Sequence, residues 1–286
     1  GAEPSKDVVF TQFSVNTIQY TVADGRPLLM DIYQPVGGDT TAFRPLVILA
    51  HGGSFLSGNR RTEYEERVPA ICRQLALRGY VAVSIDYRLS NLVGMATKKS
   101  AYKELMQSVA DGRCSVAWFV NDITKRNTYR IDKNKLFFGG NSAGSILAEQ
   151  LAFLDSDAVC KPVLQKAIRK YLNNVCPLPP HTLRGVISLA GAVLDTNIIH
   201  PSPIAVLHIQ GDADHVVPYG YKRAISGLAP FKLAGLGADR ARYISGRLNF
   251  KEYVFKNAGH TPWDKDDDAF NIVFQQLLTF LQKETK

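Results

Sequence analysis

Two hydrophobic rhythms alternate along the chain. Leu46 to Ala50, Tyr80 to Asp86, Leu136 to Phe138, Gly185 to Ala190 and Ile204 to Gln210 are short apolar runs. Where a run is apolar on both faces, as Leu46 to Ala50 is, it predicts a strand covered by helices on both sides. Between the runs, apolar residues return every three or four positions. Val68, Ile71, Cys72, Leu75 and Ala76 predict the inner face of a helix over 63–78, stopped by Gly79. Leu105, Val109, Cys114, Ala117, Trp118 and Val120 predict another over 102–121, and Ile146, Leu147, Leu151, Phe153 and Leu154 a third after Gly144. Val8 to Val22 and Leu28 to Tyr33 alternate on either side of Asp24-Gly25 and predict an antiparallel pair at the sheet edge. Lys251 to Phe255 predicts the last strand and 266–282 a closing amphipathic helix, while 219–246 reads as mostly helical with glycine breaks. Strand and helix in alternation specify the α/β class, a mostly parallel central sheet with right-handed crossovers.

One stretch departs from the alternation. Residues 155–182 hold an amphipathic piece (Leu164, Ala167, Ile168, Leu172) and a proline-rich exit, Pro177 to Pro180. This is a small helical insertion, either a cap over the site or surface decoration. No repeat or second domain interrupts the 286 residues, which read as one domain.

Composition narrows the function classes. Hydrophobic residues at 45% and charged residues at 21% give a chain with a real core. No apolar run approaches the roughly 18 to 20 residues of a membrane helix. The net charge of +8 suggests some attraction for anionic surfaces or substrates. The basic residues are dispersed, however, and the densest groups (Lys166, Arg169, Lys170; Arg240, Arg242, Arg247) lack a nucleic-acid motif, so no nucleic-acid partner is expected. No histidine pair at metal-ligand spacing on one helix and no cysteine pair at zinc spacing is present, so no metal is expected, and no organic cofactor. The start at Gly1 without a methionine reads as a processed or trimmed chain. Four cysteines, an even number, are compatible with an oxidising compartment, so secretion or a periplasmic address is expected, with a cytoplasmic one as the alternative. A Cys160 to Cys176 disulfide closing the insertion is expected and would contribute about 3 kcal/mol, the alternative being four free buried thiols.

The chemistry gathers around Gly140-Asn141-Ser142-Ala143-Gly144, where the period changes from strand to helix. A serine at such a turn needs small neighbours so that strand and helix can approach and the hydroxyl can project. It also needs a base in reach and a carboxylate to orient that base. In a parallel sheet the loops after the strand ends share one crevice, and four of these loops carry His51-Gly52-Gly53-Ser54, Ser142, Asp214 and His260. His260 is the base candidate, with His215 as competitor. Asp214 is the acid candidate, ahead of Asp212, with Asp195 and Asp264 further behind. The N–H groups of Gly53, Ser54 and Ala143 are the candidate oxyanion donors.

These stretches carry a resemblance. His51-Gly52-Gly53-Ser54-Phe55 with Gly58, Asp86-Tyr87-Arg88-Leu89 and Gly140-Asn141-Ser142-Ala143-Gly144 are similar to the α/β-hydrolases of the carboxylesterase and hormone-sensitive-lipase-like group, over most of the chain from about Gly25 onward. The resemblance implies an α/β-hydrolase fold and a serine hydrolase of carboxylic esters, with a small-molecule or polymer-attached ester as substrate. It places the oxyanion donors on Gly53 and Ser54 and makes Asp86 to Leu89 a structural support. Three positions depart from the pattern: Ser54 replaces a glycine, Asn141 stands where an acidic residue is usual, and the loop Gly211 to Pro218 resembles those of small bacterial esterases and serine peptidases. An amidase or peptidase is therefore the alternative, and an inactive binding module the reading from another class.

Overall fold

The structure is a computed structural model of the 286-residue chain and describes all residues except 1–3, 39–41, 64–65, 155–159, 200–201, 238–239 and 241–247. Its spine is an eight-stranded sheet in the order β1-β2-β4-β3-β5-β6-β8-β11. The antiparallel edge pair is β1 (Phe13–Ala23) and β2 (Arg26–Pro35), and β2 runs antiparallel to β4 (Val81–Ile85). All further neighbours are parallel: β4, β3 (Arg44–Ala50), β5 (Ile131–Asn141), β6 (Gly185–Leu189), β8 (Ala205–Gly211) and β11 (Asn249–Phe255).

Helices cover both faces, which is why β3, β4, β6 and β8 are buried along their whole length. From β3, Leu46, Ile48 and Ala50 enter the core beneath α2 (Lys98–Lys125) and α3 (Ala143–Phe153). Val47 and Leu49 enter the opposite core beneath α1 (Val68–Ala76) and α5 (Asp267–Glu284). Asp266 caps α5 by accepting the Ala269 N–H at 2.9 Å. The first strand begins at Phe13 rather than Val8, and the first helix at Val68, because Glu66 is drawn into the site described below.

Two expectations are corrected. The disulfide joins Cys114 to Cys176, across 62 residues, and leaves Cys72 and Cys160 free. Cys160 precedes α4 (Pro162–Tyr171) and Cys176 follows it, and Cys176 meets Cys114 with a Cα–Cα separation of 5.0 Å. Since α4 packs on α2, its exit returns instead to Cys114 in the middle of α2. Second, the described part of 219–246 is mostly turns and two short strands rather than helix: β9 (Tyr221–Arg223) and β10 (Lys232–Gly235) form a hairpin that joins β7 (Ala192–Val193) in a small antiparallel sheet. Positive φ at Ile225, Ser226 and Gly227 turns the chain back on itself there. The expected Arg242 and Arg247, with the rest of 241–247, lie outside the described residues.

Candidate active site

Ser142 occupies the single residue between the end of β5 and the start of α3, with φ 54° and ψ −116°. A non-glycine residue there is strained, so its neighbours must hold it. They do so by close approach: a Cβ on Gly144 would come within 2.0 Å of the Ala50 carbonyl oxygen, and one on Gly140 within 2.3 Å of the Gly144 carbonyl carbon. The Ser142 N–H donates to the Leu189 carbonyl at 2.8 Å, fixing the turn against β6.

From this perch Ser142 Oγ lies 2.8 Å from Nε2 of His260, and Nδ1 of His260 lies 2.8 Å from Oδ2 of Asp214. Asp214 is buried, and its other oxygen accepts the N–H groups of Val216 (2.9 Å) and Val217 (3.0 Å). An ionised carboxylate only accepts, so His260 carries its proton on Nδ1 and offers the Nε2 lone pair to the serine hydroxyl. The competing residues are occupied elsewhere. Asp212 accepts the Asn257 N–H, Asp195 caps the 196–198 turn and accepts the Lys161 N–H, and His215 is exposed.

The loop after β3 faces the same serine. Gly53 has φ +119°, a conformation with no room for a side chain, since a Cβ would lie 2.1 Å from the Ser57 carbonyl oxygen. Ser54 follows at φ 57°, and the Gly53 carbonyl accepts from Leu56 and Ser57, closing the turn. Among the described residues the N–H groups of Gly53, Ser54 and Ala143 donate to no acceptor. Beneath the loop, the His51 ring stacks on Tyr87 at 4.4 Å and the Tyr87 hydroxyl donates to the His51 carbonyl. Asp86 and Arg88 are tied to Arg60 and Asp111, so this stretch is a buttress.

The sequence profile of the BD-FAE family matches residues 30–177, a little over half of the chain. The chain belongs to the BD-FAE family. Its architecture is that of the α/β-hydrolase fold: esterase 2 of Thermogutta terrifontis phosphorylated by paraoxon superposes with a TM-score of 0.65 at 17% identity over 94% of both chains. The propionate-bound form of that esterase gives 0.64, with the same identity and coverage. Among curated sequences, the non-reducing polyketide synthase ausA of Emericella nidulans is 33% identical over 142 residues, and stbA of Stachybotrys bisbyi is 29% identical over 171 residues. These matches take in 48% and 59% of this chain but only 5% and 7% of the synthases, so the chain spans a small fraction of the curated relatives' length.

In this BD-FAE chain Ser142 lines two cavities. A cleft of about 310 Å³, its walls mixed polar and apolar, is lined by Gly52, Thr62, Glu66, Asn141, His260 and Asp264. A small apolar cavity of about 20 Å³ is walled by Phe55, Met95, Ile146, Ile225, Phe231 and Leu233. No described residue of the 155–182 insertion lines either one. At the base of the cleft, Asn141 donates to both Glu66 (3.1 Å) and Asp264 (3.0 Å), and Glu66 also accepts the Gly52 N–H at 2.8 Å. Burial is the main force pushing the Asp264 carboxyl above the usual carboxylate range. This network explains the asparagine before Ser142: an acidic side chain there would meet two carboxylates. Glu66 gave no sequence signal beyond a charge at the mouth of a helix, and its role is visible only in space. A second hidden layer is Gln210, which donates to Asp214 Oδ2 at 3.2 Å and is itself held by buried His208 at 3.0 Å.

Proposed function

We propose that this protein hydrolyses carboxylic esters through a Ser142-His260-Asp214 triad and an acyl-enzyme. The observation that carries the reading is the unbroken line from Ser142 Oγ through His260 to Asp214, 2.8 Å at each step, beside three N–H groups without an acceptor. His260 takes the proton as Ser142 Oγ bonds to the acyl carbon. Asp214 stabilises the imidazolium and holds its orientation. The carbonyl oxygen becomes an oxyanion received by the N–H groups of Gly53, Ser54 and Ala143, each donor of this kind being worth about a hundredfold or more in rate. His260 then protonates the leaving alcohol, and water repeats the sequence on the acyl-enzyme to release acid and free serine.

The two cavities suggest how an ester lies. The apolar one has room for about one methyl-sized group, since a cavity of about 10 to 15 Å³ already admits a water, so the acyl side is short. The cleft takes the alcohol, and the Glu66 and Asp264 carboxylates in its wall favour a hydrophilic, non-anionic one, free or attached to a polymer. The Cys114 to Cys176 disulfide supports a secreted or periplasmic setting, where such bonds persist.

The test is turnover of p-nitrophenyl acetate and butyrate, with an aminoacyl p-nitroanilide in parallel, in wild type and Ser142→Ala. Acetate turnover that exceeds butyrate and vanishes in Ser142→Ala is the expected result. Turnover of the anilide alone would make the protein an amidase. No turnover and no fluorophosphonate labelling of Ser142 would leave a binding module.

A further inference from the structure

Two surface loops both wall the apolar cavity at Ser142 and project apolar tips into solvent. The turn 90–96 contributes Met95 to the wall, and within a turn of it Leu92 and Val93 are 80% and 83% exposed. The β9–β10 hairpin contributes Ala224, Ile225, Phe231 and Leu233, while Leu228 at its tip is 83% exposed. Both loops are fastened at their roots, by Ser90 N–H to the Phe55 carbonyl and by Ile225 N–H to the Val216 carbonyl, so the tips are carried by ordered backbone. Aliphatic side chains this exposed, clustered around one cavity mouth, mark an interaction surface.

The charges beside them say which kind. Lys98 and Lys99 follow the first loop, and Lys222, Arg223 and Lys232 flank the hairpin, all exposed. Tyr221, half-exposed, accepts a hydrogen bond from Lys161 at 3.0 Å, with the Lys232 ammonium 5.3 Å from its ring centre. None of these six cations pairs with a carboxylate among the described residues. The nearby acids are Asp195, buried, Glu104, half-buried under Gly94, and Asp212, exposed but already bonded to Asn257. Apolar tips with basic shoulders and a tyrosine between them match an anionic lipid–water boundary, where aliphatic groups enter the acyl layer and lysines reach the headgroups. We propose that the 90–96 turn and the β9–β10 hairpin dock this face on an anionic lipid surface, placing the mouth of the Ser142 cavity at the boundary. Docking is independent of the proposed chemistry; the supply of an ester from that surface rests on it.

The experiment is co-sedimentation at low salt with vesicles of phosphatidylcholine alone and of equal parts phosphatidylcholine and phosphatidylglycerol. The wild type binds the mixed vesicles, not the neutral ones, and releases on added salt. The pair Lys222→Glu with Arg223→Glu weakens binding about tenfold or more, on the scale of about fivefold for each basic residue. The pair Leu92→Ser with Leu228→Ser also weakens it, and both pairs keep wild-type turnover of soluble p-nitrophenyl acetate. Absence of binding to the mixed vesicles, or equal binding to both kinds, overturns the proposal. So does full competition by soluble dextran sulfate with serine variants that bind like wild type, which would make the patch a polyanion site. Vesicle binding without acetate turnover would sink the ester reading and leave the docking surface standing.

Discussion

The indole N–H of Trp263 donates to Oδ1 of Asn141 at 3.0 Å. Because a donor holds that oxygen, the amide has one orientation, and its NH₂ faces Glu66 and Asp264. Asn141, the residue before Ser142, thus joins β5 to the loop carrying His260 and to the segment leading into α1.

Asn141→Asp keeps an acceptor for Trp263 but sets a third carboxylate against two that had shared a donor. Unfolding by urea at neutral pH should show a loss of about 3 kcal/mol or more, the cost of buried charge left without a partner. The deficit should shrink as the pH falls into the carboxylate range, where protonating one carboxyl restores a donor. A variant as stable as wild type at neutral pH would refute the bridging role.

Asp214→Asn tests the orientation of His260. The N–H groups of Val216 and Val217 require an acceptor at Oδ1, so the new amide nitrogen must face His260. Nδ1 would then become the acceptor and Nε2 would carry the proton, the wrong tautomer to receive one from Ser142. The expected loss in kcat is about ten-thousandfold, with KM little changed. Steady-state kinetics on p-nitrophenyl acetate measures it.

Cys114→Ser should destabilise the protein by about 4 kcal/mol by urea unfolding, since the bridge closes a 62-residue separation. Cys160→Ser should cost much less, because that thiol is free and half-buried. Peptide mapping without reductant should recover Cys114 joined to Cys176; recovery of Cys160 joined to Cys176 would contradict the placement of α4.

His208 is fully buried, and burial pulls its pKa down from 6.5 to about 4. The unfolded chain therefore takes up a proton at a pH where the folded one stays neutral. Stability is intact above about 6.5 and falls as the pH drops toward 4, by about 3 kcal/mol from this group alone. His208→Gln should lack that component, and the difference between the two urea-unfolding profiles across the window isolates it. Parallel profiles would mean that His208 charges in place.

Much of this was legible in the chain. Strands apolar on both faces can exist only under two layers of helix, so the parallel sheet followed from Leu46 to Ala50 and its counterparts. The loops at the strand ends then share one edge of the sheet, which is why Ser142, Asp214 and His260 could be named together although 118 residues separate the serine from the histidine. Gly53, Gly140 and Gly144 were legible because close backbone approach leaves no room for a Cβ. What local pattern cannot carry is the side-by-side placement of elements. The disulfide partner was fixed by α4 lying on α2, not by spacing along the chain. The segment after Pro218, whose apolar residues suit either period, became a hairpin because β7 offered it an edge. Glu66, Asn141, Trp263 and Asp264 meet only once three separate segments are folded together. A sequence states which residues can be buried and where the backbone must turn; which buried polar group finds which partner is decided by packing, since each must be satisfied by whatever the fold brings within reach.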